Sequence, residues 1–141
     1  MSSDAGNRIQ QAFQAALVNA VLGNERIARE FGLLLTDLQT LHLLVLRPGV
    51  RTPKQLSEVS GLPTSTVTRV IDRLEKADYL QRSADPDDRR RTNIELVPEK
   101  VAALVSHYEQ YGEELGRVNA LFSDTELETV ARYLEATVDT F

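Results

Sequence analysis

Arg69 and the run Arg89, Arg90 and Arg91 are the side chains of this sequence best suited to chemistry, and that chemistry is anion recognition rather than catalysis. A guanidinium offers five donors in a planar fork that fits a phosphate or the acceptor edge of a base. Just ahead of Arg69 stand Thr64, Ser65, Thr66 and Thr68, and one turn beyond it Arg73. Short hydroxyl side chains can donate to phosphates or base edges while letting the backbone approach closely.

Such donors need a rigid carrier. Val67, Val70, Ile71 and Leu74 recur at i, i+3, i+4 and i+7, which predicts a helix from about Pro63 to Lys76 with one packed face. The opposite face then presents Ser65, Arg69, Asp72 and Lys76, with Thr68 and Arg73 on its flanks. Upstream, Pro-Lys-Gln-Leu-Ser-Glu-Val-Ser from Pro53 reads as a short helix, and Gly61 sits in the turn. Downstream, Leu80 to Ser83 and Thr92 to Val97 read as strands, the second with Asn93 and Glu95 out and Ile94 and Leu96 in. The stretch Ala84 to Arg91 is polar and contains proline, so it projects. Helix, turn, helix and basic hairpin is the layout of a winged helix-turn-helix, a DNA-reading device. Three arginines on a projecting loop suit a narrow, electronegative minor groove. A charge run is more often a solvated turn; its place directly after a recognition-type helix favours the groove.

At these residues the chain resembles the MarR family of winged-helix transcriptional regulators. The resemblance is carried by Leu35-Thr-Asp-Leu-Gln39, Thr52-Pro-Lys-Gln-Leu56, the run from Ser65 to Glu75, and above all Asp85-Pro-Asp-Asp-Arg-Arg90 followed by Leu96. It covers nearly the whole chain. The family's wing pattern, Asp-x-Arg, falls on Asp88 and Arg90: it implies that the arginine enters the minor groove and the aspartate helps to fix the wing. Pro63 stands where relatives often carry a serine-like N-cap; proline is tolerated at a helix start. The resemblance further implies a repressor of a pseudo-palindromic operator, relieved by a small aromatic or phenolic molecule lodged between the dimer helices and the winged module.

The net charge of −5 at first argues against a nucleic-acid partner. Residues 98–141, however, hold three basic and nine acidic groups, so the acidity is C-terminal and residues 49–97, with nine and eight, are weakly positive. Asp85, Asp87 and Asp88 are expected to brace the wing and leave its arginines facing outward. At 141 residues the chain is one typical domain, or a small domain with a dimerisation element. The absence of cysteine excludes disulfides and thiol redox chemistry. No basic-then-apolar signal pattern opens the chain and no apolar run approaches a membrane span, so a cytoplasmic protein is expected.

The terminal segments point to a second copy. From Pro98 onward Val101, Leu104, Tyr108, Tyr111, Leu115, Val118 and Phe122 are spaced 3-4-3-4-3-4, three heptads along one helix. Ser123-Asp-Thr-Glu126 is a capping box that opens another, in which Leu127, Val130, Leu134, Val138 and Phe141 continue the stripe. Ile9, Phe13, Ala16, Leu17, Val21, Ile27 and Phe31 line a first helix. These stripes ask for more burial than a small winged module offers. An intramolecular bundle is the plain reading; a two-fold homodimer is preferred because it also sets two recognition helices on one face of a duplex. Phe13, Leu17, Leu115, Val118, Phe122, Leu127, Val130 and Leu134 are the expected interface residues. Thr36-Asp-Leu-Gln39 and Thr52-Pro-Lys-Gln55 read as two further capping boxes. The expected fold is mainly α, about six helices plus a small β-wing. Its expected division is a dimerisation helix in 1–35, the winged helix-turn-helix in 36–97 and dimerisation helices in 98–141.

Enzyme readings find no candidate residues: there is no phosphate-binding glycine loop and no Ser, His and Asp constellation. His42 and His107 are the only histidines. His42 shares a helical face with Leu38, Leu41 and Val45, which favours a packed or pocket-lining residue over a metal ligand. With Tyr108 it forms the expected effector pocket; no metal or cofactor is expected. The competing function class is a winged-helix protein-interaction adaptor, which has no physical reason to keep Arg69 together with the arginine wing.

Overall fold

The computed structural model describes residues 3–138 and 140. Its element order is α1 (Asp4–Glu30), α2 (Leu35–Leu46), α3 (Pro53–Ser60), α4 (Thr64–Lys76), β1 (Leu80–Ala84), β2 (Thr92–Leu96), α5 (Pro98–Asn119) and α6 (Asp124–Val138). Among the described residues these are six helices and one two-stranded antiparallel sheet, the mainly helical fold with a wing that the periodicities predict. The chain forms two compact units, divided between Val97 and Pro98.

The core of the first unit gathers around α4. Val67, Val70, Ile71 and Leu74 are fully buried, as their helical spacing requires, and Leu38, Leu41, Leu56 and Leu80 are buried with them. α4 packs against α2, α3 and β1, so three neighbours hold the one helix that carries Arg69. α3 begins as its sequence says: Thr52 Oγ1 accepts from the Gln55 N–H at 3.2 Å, and Gln55 Oε1 accepts from the Thr52 N–H at 3.2 Å. It ends at Gly61, whose φ of 70° lies in the left-handed region that favours glycine.

α1 stops by the same device. Gly32 has φ 68°, its N–H reaches the Arg29 carbonyl, and the Leu33 N–H reaches the Ala28 carbonyl at 2.8 Å. This pair of bonds is a Schellman motif, and its apolar partners Ala28 and Leu33 are buried. α4 ends likewise, with Asp78 in the left-handed position and Tyr79 bonded back to Leu74.

Two expectations need correction. α2 does not open with a box from Thr36 to Gln39: it starts at Leu35, and the carboxylate that reaches back to the start is Asp37, whose Oδ2 accepts from the Leu34 N–H at 3.1 Å. Asp37 is fixed there because it also receives Arg73 of α4, whereas Thr36 lies inside the helix and its carbonyl accepts from Thr40 Oγ1. The other concerns the second unit. α5 ends at Asn119, and Leu121 and Phe122 lie in a turn, with N–H bonds to the Val118 and Asn119 carbonyls. The chain must leave the helix before Ser123, since an N-cap has extended dihedrals; Ser123 Oγ and Glu126 Oε2 then exchange bonds with each other's N–H groups to open α6. Phe141, counted above with the apolar stripe of α6, lies outside the described residues.

Candidate nucleic-acid interface

The arrangement of α3, Gly61 and α4 leaves one face of α4 uncovered. Thr64, Ser65, Thr68, Arg69, Asp72 and Lys76 are on it, and Thr66 is half-buried. Pro63 occupies the N-cap position without a side-chain cap bond. Thr68 Oγ1 donates to the Thr64 carbonyl at 3.0 Å, so toward a ligand this hydroxyl offers its lone pairs. Arg69 has no ion-pair partner among the described residues.

Arg73, placed by the sequence among the outward donors, ties its fork to Asp37. Its Nη2 and Nε lie 2.8 and 3.0 Å from Asp37 Oδ1. The hydrogen bonds to this carboxylate hold the guanidinium above its usual range. Asp37 is buried and Arg73 is half-exposed, so the pair pins α4 to the first turn of α2 and leaves Nη1 as the donor not turned to Asp37.

The wing is held by its own acids. Asp85 Oδ1 accepts from the Asp87 N–H and Asp88 Oδ1 from the Arg90 N–H, both at 2.9 Å. These are Asx turns, in which a short carboxylate stands in for a backbone acceptor. The Asp85 N–H reaches the Arg91 carbonyl and the Arg91 N–H the Asp88 carbonyl, closing the loop between β1 and β2. Arg89, Arg90 and Arg91 are exposed, and no carboxylate among the described residues pairs with them.

Sequence reasoning missed Arg82. Its Nη1 lies 2.9 Å from Glu75 Oε1, its N–H donates to Glu75 Oε2 at 2.9 Å, and its Nη2 pairs with Asp72. The root of the wing is thereby bolted to α4, and the one carboxylate on the outward face of α4 is neutralised. The usable signal was the period of two in β1, which puts Arg82 on the same side as buried Leu80.

A cleft of about 570 Å3 opens between α2 and the end of α3, lined among others by Leu35, His42, Leu43, Leu46, Arg47 and Leu62. Burial lowers the pKa of His42, so the imidazole is neutral at pH 7. His42 thus meets α2 and α3 side chains of its own unit, while Tyr108 belongs to the second unit. Among the described residues no group of three or more His, Cys, Asp or Glu could hold a metal ion. None of the described helices is long and apolar enough to cross a membrane.

Comparison with known proteins gives a consistent result. Residues 31–91 match the MarR family model. The Bacillus subtilis HTH-type transcriptional regulator YcgE, itself uncharacterized, is 40% identical over 88 residues, covering 62% of this chain and 55% of that protein. The match therefore spans about half the length of that relative. A mutant MepR from a multidrug-resistant S. aureus clinical isolate superposes with a TM-score of 0.79 at 17% identity, over 94% of this chain and 96% of that one. The S. aureus MepR–DNA complex gives 0.65 at 17% identity, over 93% and 98%.

Proposed function

We propose that this chain, whose residues 31–91 match the MarR family model, is a winged helix-turn-helix transcriptional regulator of that family that binds double-stranded DNA sequence-specifically, as a homodimer on a pseudo-palindromic operator, and represses the genes there. The observation that carries this is the company kept by the arginines: the side-chain bonds of Asp85 and Asp88 go to backbone, leaving Arg89 to Arg91 exposed, and Arg69 on α4 is exposed as well, all four without an ion-pair partner among the described residues. An uncommitted cluster of cations on a rigid helix and hairpin is built for an external anion. In this reading Ser65, Thr68 and Arg69 address the major groove, with Thr64 and Thr66 at the helix start. Arg90 enters the minor groove, Arg89 and Arg91 flank it, and Asp88 keeps the loop in shape. Arg73 contributes by holding α4 in place.

The test is selection from a random duplex library followed by titration of variants. Arg69→Ala is expected to lose about 1–3 kcal/mol of discrimination at particular base pairs. Arg90→Ala is expected to weaken binding to all duplexes and to flatten its salt dependence. Equal affinities of both variants and wild type for the selected palindrome would sink the assignment, and recovery of no palindrome would favour the adaptor reading.

The proposed effector is a small aromatic acid seated in the cleft between α2 and α3. Leu35, Leu43, Leu46 and Leu62 supply apolar walls, Arg47 a carboxylate partner, and neutral His42 a polar contact. Such a ligand lowers DNA affinity only if it prefers a geometry unsuited to DNA; a tenfold loss needs about 1.4 kcal/mol of coupling. Salicylate-like acids titrated against the protein–operator complex should release DNA from wild type and act more weakly on His42→Ala. Identical release curves for the two proteins would remove His42 from the site.

A further inference from the structure

A second cleft, of about 630 Å3, lies between the start of α3 and the wing. Lys54 and Glu58 come to it from α3, Thr64 from the first residue of α4, and Arg90 and Arg91 from the wing. We propose that this cleft seats a phosphodiester of the DNA backbone, gripped by Lys54 together with Arg90 and Arg91, and that Glu58 weakens the grip. The proposal rests on the DNA-reading function above and assigns to Lys54 and Glu58 roles in it.

Adjacent major and minor grooves of a duplex are separated by one sugar–phosphate strand, so a protein that puts a helix in one and a wing in the next must let that strand pass between them. The cleft is bounded by the start of α4 on one side and the arginines of the wing on the other, which is where the strand must run. Its remaining wall is the first turn of α3, and the cation there is Lys54. Lys54 is exposed and makes no ion pair among the described residues. Three cations and one carboxylate line the cleft, a surplus suited to an anion. A lysine head is a point charge that can follow a phosphate without demanding one orientation, and it sees no base edge. Lys54 therefore adds affinity without sequence preference. Glu58 lies one turn from Lys54 on the same helical face, and its carboxylate is exposed and without an ion-pair partner among the described residues. It therefore repels the phosphate that Lys54 attracts.

The experiment measures affinity of the full chain for the selected operator and for a random duplex across a salt series. Lys54→Gln should weaken both by the same factor, about three- to tenfold, and lower the slope of log K against log salt by about 0.9 per copy. Lys54→Arg should restore both. Glu58→Gln should tighten both duplexes, an outcome that mere destabilisation of α3 does not produce. Wild-type affinity and slope in Lys54→Gln, alongside weakened binding by Arg90→Ala, would overturn the cleft while leaving the DNA reading intact. Failure of the wild type to bind any duplex would instead overturn that reading. If inorganic phosphate at constant ionic strength displaces DNA from wild type but not from Lys54→Gln, the cleft is a free-anion site and the proposal falls.

Discussion

Arg73→Ala is expected to cost about 2–3 kcal/mol of stability, toward or below the lower end of the range for breaking a buried ion pair because the arginine end is open to water. The cost arises at Asp37, whose side chain is 3% exposed and would be left, among the described residues, with only the Leu34 N–H to answer it. Thermal unfolding should shift down by roughly 5–10 °C. Operator affinity should fall as well, because α4 loses its tie to α2. Arg73→Lys tests the fork specifically: one ammonium cannot reproduce the bonds from Nε and Nη2, so only part of the loss should return. A melting temperature for Arg73→Ala indistinguishable from that of wild type would show that the pair is ornamental.

Leu115→Asp is expected to convert a dimer into monomers. In the single chain Leu115 is 51% exposed, Val118 49% and Phe122 48%, and on α6 Val130 and Leu134 are each 46% exposed. On α1, Leu17 is 47% exposed and Phe13 half-buried, while on α6 Leu127 is half-buried. Apolar stripes of this length left open to water mark an interaction surface, and in the proposed dimer a second copy would supply the matching stripe by symmetry. A carboxylate placed in that seam without a partner costs several kcal/mol per copy. Sedimentation should find the wild type dimeric and the variant monomeric at micromolar concentration, and the monomer should bind the palindrome far more weakly because its two half-sites are no longer linked. A folded wild-type monomer at that concentration would end the dimer proposal.

These two variants also show where the sequence could and could not be read. The buried stripe of α4 and the boxes at Thr52 and Ser123 are local: each rests on residues within a few turns of helix, where spacing alone decides the outcome. The start of α2 is only partly local, since Asp37 closes on the Leu34 N–H three residues back. Asp37 also receives Arg73, 36 residues further along, and no pattern around Thr36 records that contact. The same holds for Arg82, whose partners Glu75 and Asp72 lie across the α4–β1 turn. The wing arginines were legible as charges, and the Asx turns at Asp85 and Asp88 supply the reason they stand outward. Lys54 passed unnoticed because a lone lysine in a short helix carries no signal until the wing is seen beside it.

The clamp of Arg82 on Glu75 and Asp72 has a consequence for how operators drift. That clamp joins strand and helix and so restrains the pitch of the wing relative to α4; in the proposed dimer each half would then meet DNA as one stiff stylus. Under that proposal, mutations in α4 would rewrite the letters of a half-site without altering the distance between halves, and mutations in the terminal helices would alter that distance without touching the letters. Within such a lineage, vocabulary and spacing can evolve as separate traits.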